Sequence, residues 1–99
     1  TYGPMNWDRA IVHCRGLALA DRRDWGLPSV EELCSIVDYE RHEPACDPVF
    51  DALSSYYWSS STYVNDPQYA WNVYFFNGNV NAGYKVDNNY VRAVRGGKP

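Results

Sequence analysis

The sequence predicts an α+β domain in which two helices are followed by paired strands. In the first 40 residues, apolar side chains recur at helical spacing behind two capping residues. Between residues 70 and 84 the apolar side chains alternate instead, and an Asn-Gly pair stands in the middle of that stretch. The change of period places the helices in the first half of the chain and a β-hairpin in the second.

The first helix is predicted over residues 7–20. Asn6 is a suitable N-cap, because its side chain can accept a hydrogen bond from a free amide of the first turn, and Asp8 lies where the helix dipole favours an acid. The apolar residues at helical spacing are Trp7, Ala10, Ile11, Cys14 and Ala18. The charged residues 21–24 mark the end of this helix.

A second helix is predicted from Ser29 to about Tyr39. Ser29 and Glu32 have the spacing of a capping box, in which each side chain bonds the backbone amide of the other residue. The apolar stripe of this helix consists of Val30, Leu33, Ile36 and Val37.

The segments outside the helices carry weaker signals. Residues 25–28 are predicted to be extended, because the residue before a proline avoids the helical region. Residues 40–53 are predicted to form an irregular loop held to the core by Val49 or Phe50. Residues 90–95 lack clean alternation, which predicts a central or bulged strand with one arginine folded under and hydrogen-bonded, ended by Gly96-Gly97.

The strongest local pattern is a β-hairpin. Alternation runs over residues 70–76, and Asn77-Gly78 is the pair that favours a two-residue type I′ turn. This turn sets Trp71 opposite Tyr84, and directly opposed residues share a face of the sheet. The face predicted to be core consists of Trp71, Val73, Phe75, Val80, Ala82 and Tyr84. The opposite face consists of Asn72, Tyr74, Phe76, Asn79, Asn81 and Gly83.

That opposite face has no charge, three asparagines and two aromatic rings. A face that is only solvated favours Lys, Glu and Thr, whereas amides mixed with aromatic rings are typical of antibody contact loops. We therefore interpret this face as a contact surface. A plain polar outer face with two scattered rings is the alternative, since exposed apolar residues are common.

Composition limits the classes of function. The 99 residues suit one domain, and the net charge of -3 is opposite to that of a nucleic-acid binder. No apolar run approaches the roughly 18 residues needed to cross a bilayer. The chain has 9 Tyr and 4 Trp, residues that are over-used where proteins contact partners. Composition therefore indicates recognition of a partner that is neither nucleic acid nor a membrane interior.

No arrangement of residues indicates catalysis, a metal or another cofactor. His13 and His42 stand in no catalytic motif, and no cysteine pair has the CxxC spacing of structural zinc sites. A zinc site through Cys14, Cys34, Cys46 and a histidine is the weaker alternative. The three cysteines allow at most one disulfide and leave the redox compartment open.

Six motifs together resemble the C-terminal domain family of Legionella collagen-like proteins. They are residues 7–10 (WDRA) with Cys14, 24–29 (DWGLPS) with 32–33 (EL), 57–60 (YWSS), 70–73 (AWNV), 78–80 (GNV) and 91–95 (VRAVR). The resemblance covers nearly the whole chain. It implies one domain over residues 1–99 with a C-type lectin-like fold, in which two helices pack on a small, mostly antiparallel sheet.

Two positions depart from the pattern of that family. Members usually have arginine where Gly26 stands, so whatever this arginine anchors must be held otherwise here. Members also have a strand before the first helix, and residues 1–5 are too short to supply it fully. The N-terminal strand is therefore expected to be incomplete or missing.

Residues 62–95 resemble the variable region of proteins that are targeted by diversity-generating retroelements, which copy asparagine codons of a template with errors at adenines. The resemblance implies a scaffold half over residues 1–61 and a variable half over residues 62–95. Residues that an AAY codon reaches in this way, together with Tyr69, are expected to bind the ligand. They are Tyr63, Val64, Asn65, Asp66, Tyr69, Asn72, Tyr74, Phe76, Asn77, Asn79, Asn81, Ala82, Gly83, Tyr84, Val86, Asp87, Asn88 and Asn89. Ala82 and Tyr84 rank below the others, because the predicted register turns them inward.

This resemblance implies a non-catalytic module that binds a protein or a cell-surface ligand and is displayed on a cell, secreted or carried by a phage. The alternative is a calcium-independent lectin for carbohydrate or glycosaminoglycan. Residues 1–50 carry 5 basic and 9 acidic side chains, which disfavours an anionic glycan. The chain has Trp-Asn-Val at residues 71–73 in place of the Trp-Asn-Asp calcium motif of C-type lectins. An enzyme of the formylglycine-generating type is disfavoured, because its C-terminal active-site cysteines are missing.

Overall fold

The computed structural model of the chain describes residues 2–18 and 22–95. Two helices, α1 (Trp7–Arg15) and α2 (Val30–Cys34), precede a 3-10 turn at Pro48–Phe50. The strands are β1 (Tyr2–Met5), β2 (Trp25–Gly26), β3 (Tyr56–Thr62), β4 (Tyr69–Tyr74), β5 (Asn79–Tyr84), β6 (Asn89–Val91) and β7 (Val94–Arg95). Neither of the described helices has the length and apolar character needed to span a membrane.

The strands form one sheet of five and one of two. The larger sheet has the order β1-β6-β3-β4-β5, in which the β3–β6 pair is parallel and the other pairs are antiparallel. β2 and β7 form the smaller sheet. β1 and β5 are therefore the two edges of the larger sheet. This architecture confirms the predicted α+β class.

Helix α1 begins where predicted and ends earlier. The Asn6 side chain accepts a hydrogen bond from the Arg9 amide at 3.0 Å, as an N-cap does. The predicted span of residues 7–20 is wrong at its far end, because the helix stops at Arg15 with Gly16 as C-cap. A glycine costs about 1 kcal/mol relative to alanine inside a helix, which favours termination there. The part of the prediction on residues 19 and 20 lies outside the described residues.

Helix α2 has the predicted capping box and is also shorter than predicted. The Ser29 amide donates to Glu32 Oε1 at 2.8 Å, and the Glu32 amide donates to Ser29 Oγ at 3.1 Å. The helix ends at Cys34 rather than near Tyr39, because Val37 leaves the helical path and pairs with the following loop in an isolated bridge. The predicted stripe still packs on the core: Leu33 is buried, and Val30, Ile36 and Val37 are partly buried.

Each face of the larger sheet carries an apolar cluster. The cluster on the α1 side consists of Ala10, Cys14, Leu27, Trp58, Ala70 and Val91. The cluster on the α2 side consists of Leu33, Cys46, Tyr57, Val73 and Phe75. Tyr57 and Trp58 are neighbours in β3 and point to opposite faces, so this strand contributes to both clusters. Phe50 packs against the α2-side cluster whereas Val49 is exposed, so Phe50 is the residue that holds the loop.

The β4–β5 hairpin has a longer turn than predicted. Tyr74 pairs with Asn79, so residues 75–78 form a four-residue loop, and the pairing register is shifted by two residues. Gly78 donates its amide to the Tyr74 carbonyl at 2.7 Å and has a φ of 83°, which glycine adopts without strain. Phe75 leaves the strand because its ring is fully buried against Tyr57, with ring centroids 5.1 Å apart. A shift of two residues keeps every side chain on its predicted face.

The two ends of the chain also differ from expectation. The N-terminal strand, which was expected to be incomplete or missing, is present as the four-residue strand β1, which pairs with β6. The strand predicted over residues 90–95 is two strands, since β6 belongs to the larger sheet and β7 to the smaller one. β6 lies between β1 and β3, which confirms the predicted central position. The predicted end at Gly96-Gly97 lies outside the described residues.

Arg92 is the arginine that is partly buried in this segment. Its guanidinium carbon lies 5.6 Å from the centre of the Phe50 ring. The prediction that it is hydrogen-bonded is wrong for its buried Nε, which has no partner among the described residues. Arg95 makes the polar contact instead, with its Nε 3.2 Å from Asp24 Oδ1 at the exposed surface.

Candidate functional site

β5 is exposed at every residue except Gly83, which is half-buried. The prediction that Val80, Ala82 and Tyr84 belong to the core is wrong, because Val80 and Tyr84 are each 41% exposed and Ala82 is exposed as well. The reason is the position of the strand: β5 is an edge, and α2 packs on β3 and β4 instead. Alternation shows which residues share a face, but it does not show whether anything covers that face.

A first group of rings and amides lies near the hairpin turn on the α1 side of the sheet. We call it the tip patch: Tyr56, Tyr74, Phe76, Asn79 and Asn81. Tyr56 and Tyr74 are cross-strand neighbours and stack with ring centroids 4.2 Å apart and planes 10° apart. Phe76 continues the row, 5.7 Å from Tyr74. Asn79 faces Tyr74 across the hairpin, and Asn81 follows on the same face. The structure therefore brings these rings and amides together on one side of the hairpin.

The turn that carries the tip patch is held by backbone contacts. Two amides of the loop between α2 and β3 donate to the carbonyls of Phe75 and Phe76, at 2.6 Å and 2.9 Å. Gly78 lies so close to this loop that a Cβ on it would be 2.6 Å from Val37 Cγ1. None of these contacts uses a side chain of the tip patch. These contacts to the turn are therefore available whichever side chains the tip patch carries.

Asn72 and Gly83 lie at the other end of the same face, and there the structure contradicts the prediction that they are displayed. Asn72 is 4% exposed and pairs across the strands with Trp58. A Cβ on Gly83 would be 2.5 Å from Asn72 Nδ2 and 3.4 Å from the Trp58 ring. The Trp58 indole donates to the Met5 carbonyl at 2.9 Å, which ties this end of the face to β1. Asn72 and Gly83 are therefore part of the packing.

A second group of residues, exposed or half-buried, lies on the opposite face of the hairpin. We call it the loop patch: Tyr63, Tyr69, Trp71, Ala82 and Tyr84. Tyr63 meets Trp71 edge-on with ring centroids 4.9 Å apart, and Tyr69 lies 4.7 Å from its cross-strand neighbour Tyr84. Trp71, predicted to be core, is only half-buried. Ala82 and Tyr84 are accessible, so the reason for ranking them below the other predicted residues does not hold.

The remaining predicted residues lie in loops, except Asn89, which is the first residue of β6. Exposed positions are Val64, Asn65, Asn77, Val86, Asp87 and Asn88, while Asp66 and Asn89 are half-buried. The Asp66 carboxylate accepts the Gln68 amide at 3.0 Å and so holds its turn. Lys85 joins three segments: its ammonium bonds Thr62 Oγ1 at 3.1 Å and lies 4.0 Å from the centre of the Trp7 ring. The loops are thus anchored at a few points, with exposed side chains between them.

The cysteines belong to the interior rather than to this surface. Cys14 lies in the α1-side cluster, and Cys34 and Cys46 lie in the α2-side cluster, across the sheet from it. This separation contradicts the alternative of a zinc site through all three. Among residues 2–18 and 22–95, no group of three or more His, Cys, Asp and Glu side chains is placed to hold a metal ion. Burial raises the pKa of the Cys14 thiol to about 11, so it is protonated at neutral pH.

The fold and the exposed hairpin together define a class of protein. Two helices on a mostly antiparallel sheet are compatible with a C-type lectin-like fold, as the resemblance implied. A scan against protein-family models matches residues 1–95 to the Lcl C-terminal domain, and the chain belongs to this family. Membership indicates a lectin-like binding domain. Searches of curated proteins and of solved structures found no match.

Two residues of the patches were not predicted as contact residues. Tyr56 was assigned to the scaffold half. It stands two residues before Trp58, and residues two apart in a strand lie on the same face, so this spacing could have placed Tyr56 on the face of Trp58. Trp71 was assigned to the core. Helix α2 packs on β4 but leaves Trp71 half-buried. No signal in the sequence shows this, because the exposure of Trp71 depends on where α2 lies.

Proposed function

We propose that this chain is a non-catalytic ligand-binding module whose hypervariable surface is diversified by a retroelement and binds a protein or another surface ligand. The observation that carries the proposal is the tip patch. Its rings and amides are uncharged and exposed or half-buried, and the turn that carries them is held by backbone bonds. A surface of this kind can change its side chains while the fold stays the same.

The chemistry of the patch suits recognition of varied partners. Tyrosine and phenylalanine rings offer a large contact area at a small cost in side-chain entropy, and asparagine amides both donate and accept hydrogen bonds. The row of Tyr56, Tyr74 and Phe76 supplies the apolar anchor, and Asn79 and Asn81 supply the polar contacts beside it. Anchors of this type carry most of the energy in protein interfaces. The loop patch would extend such an interface only for a ligand that reaches around the β5 edge.

The retroelement part of the proposal is tested in the DNA around the gene. We expect a second copy of the stretch that encodes residues 62–95, differing from it only at adenine positions. The differing codons should fall on exposed residues of the hairpin and its loops. The absence of such a copy, or differences spread over all four bases, would contradict diversification by a retroelement and would leave the binding proposal to the next two experiments.

The interchangeability of the surface is tested with two displayed libraries of equal size. The first randomises Tyr74, Phe76, Asn79 and Asn81, and the matched library randomises the buried Tyr57, Asn72, Val73 and Phe75. We expect most members of the first library to resist protease and some to bind an arbitrary protein probe such as hen lysozyme. Members of the second library should be largely degraded. Equal protease sensitivity of the two libraries would show that the patch belongs to the packing.

The role of the rings in binding is tested with the double variant Tyr74→Ala and Phe76→Ala, made in a lysozyme-binding member of the first library that retains both rings. Binding should be lost, since the anchors are removed, while the far-ultraviolet circular dichroism spectrum stays unchanged. A matched control is Val49→Ala, which truncates a side chain that is 80% exposed and lies outside both patches and outside residues 62–95. Binding that survives in the double variant would place the contact surface elsewhere.

A second candidate ligand is a neutral carbohydrate, and one observation favours it. Tyr56 stands at one end of the row of stacked rings and is 40% exposed, so its outer ring face is one on which a sugar ring can stack. A glycan array read with and without EDTA separates the candidates. Neutral-glycan binding that persists in EDTA and disappears in the Tyr74→Ala Phe76→Ala variant would favour the carbohydrate.

A further inference from the structure

We propose that the outer edge of β5 is the interface for a second copy of this chain, which pairs with it antiparallel through the same strand. The interface would consist of main-chain hydrogen bonds along the edge. It leaves both faces of the hairpin open, so it does not depend on the proposed ligand binding.

The two edges of the larger sheet differ in how they are protected. β1 contains Pro4, and its pairing with β6 is irregular between Tyr2 and Met5. Proline and bulges are devices that prevent the addition of a further strand. β5 has neither, because its six residues pair with β4 in unbroken register and include no proline and no charge. In the part of the chain that the structure describes, no strand pairs with the outer side of β5.

The hydrogen bonds of the hairpin show which groups of β5 point outward. Lys85, the residue after β5, donates its amide to the Gln68 carbonyl at 2.9 Å. Amides alternate in direction along a strand, so the odd-numbered residues of β5 bond β4 and the even-numbered residues point to the edge. The Tyr84 carbonyl already accepts a turn amide at 2.9 Å. Val80 and Ala82 are left as the two residues that present both an amide and a carbonyl outward.

These groups select one register for two copies. When Val80 of one copy lies opposite Ala82 of the other, each of the two pairs is doubly hydrogen-bonded, and a two-fold axis passes through Asn81. Asn81 then lies opposite Asn81 of the second copy, where each side-chain amide can donate one bond and accept another. Asn79 lies opposite Gly83, which leaves room for its side chain. The strand is therefore complementary to itself.

Charge and exposure favour a second copy as the occupant of this edge. Residues 79–84 carry no charged side chain, so two copies meet there without like charges in opposition. Val80 and Ala82 stand on the same face and are both exposed, and pairing buries them against each other. Tyr74 and Phe76 remain outside the pairing edge, so a dimer would place two tip patches on one continuous sheet.

The charge test uses the axial residue and the 99-residue chain without any ligand. Sedimentation equilibrium of the wild-type chain should show a reversible dimer. Asn81→Lys and Asn81→Glu each set like charges opposite one another and should raise the dimer dissociation constant by about tenfold or more. An equimolar mixture of the two variants should recover the wild-type constant. Val86→Lys is the matched control, since it adds the same charge at an exposed position beyond the end of β5.

The register is tested by cross-linking. The Cα atoms of an opposed pair of this kind lie about 4.5 Å apart, within the range of a disulfide. With copper phenanthroline as oxidant, Asn81→Cys should give a disulfide-linked dimer, whereas Ala82→Cys should not. Both residues are exposed, and circular dichroism checks that the variants fold. A wild-type chain that stays monomeric at all concentrations, Ala82→Cys as the variant that cross-links, or a dimer indifferent to the Asn81 charges would overturn the proposal.

Discussion

β4 and β5 form one hairpin, yet β4 belongs to the core and β5 to the surface. Ala70, Asn72 and Val73 are buried in β4, whereas none of the six residues of β5 is buried. β4 has β3 on its other side and α2 packed against it, while β5 is an edge. The comparison teaches that strand pairing decides which residues share a face, and that position in the sheet decides which faces are kept from water.

The largest expected effect is a difference in the free energy of unfolding between alanine variants of two adjacent residues of the hairpin turn, Phe75 and Phe76. Phe75 is fully buried, so Phe75→Ala should lower the free energy of unfolding by about 3–5 kcal/mol, whereas Phe76→Ala should lower it by less than about 1 kcal/mol. Urea denaturation measures both. Equal losses would show that both rings belong to the core, and the tip patch would then lose its apolar end.

The sharpest form of the comparison uses two valines that face each other, Val73 in β4 and Val80 in β5. Val73 is fully buried and Val80 is 41% exposed. Val73→Ala should cost about 2–3 kcal/mol, from the lost transfer energy of two methyl groups plus the cavity. Val80→Ala should change stability by less than about 0.5 kcal/mol. Both variants remove the same two methyl groups, so each is the control for the other. Similar costs at both positions would contradict the conclusion that β4 is buried and β5 is exposed.

The pH dependence of stability tests whether Cys14 is buried in the apolar cluster on the α1 side of the sheet. Burial raises the pKa of its thiol from 9.0 to about 11, so below pH 9 the thiol is neutral in both states and its contribution to stability is fully present. Between about pH 9 and 11 only the unfolded state ionises, and stability falls by about 1.4 kcal/mol for each pH unit from this group. Urea titrations at pH 8, 9 and 10 should show a smaller loss for Cys14→Ala than for the wild type. Parallel losses would mean that Cys14 is solvated.

An effect of similar size is expected at the one half-buried residue of β5, Gly83. A Cβ there would meet Asn72 Nδ2 at 2.5 Å, so Gly83→Ala should cost about 1–2 kcal/mol although it lies in the exposed strand. Asn72→Ala removes the obstructing amide, and the double variant should recover part of the loss. A double-mutant cycle measures this coupling, and strictly additive costs would show that the two positions do not touch.

The local signals of the sequence predicted where elements begin better than where they end. The Asn6 cap and the box of Ser29 and Glu32 involve residues three apart, so the sequence alone carries the whole interaction. Both helices end earlier than predicted because their ends depend on other parts of the chain. Helix α2 stops when Val37 joins the loop ahead of β3, and periodicity in the sequence contains no information on that pairing.

The candidate site was predicted in its composition and only partly in its position. Tyr74, Phe76, Asn79 and Asn81 lie together as predicted, since a two-residue shift of register keeps side chains on the same face. Asn72 was assigned to the same exposed face and is buried, because the Trp58 ring packs at that end of the face. The binding of a ligand, the retroelement and the dimer stay predictions for the experiments described above.

The sequence by itself determined the order of helices and hairpin, the caps, and the division of hairpin residues between two faces, because each of these rests on contacts between residues close in the chain. Only the tertiary structure decided the length of the turn, which buried Phe75, and the exposure of β5. Burial is a property of what lies above a face, and the segments that cover this sheet come from distant parts of the chain. The same strand pattern would have been core in the middle of the sheet and is surface at its edge.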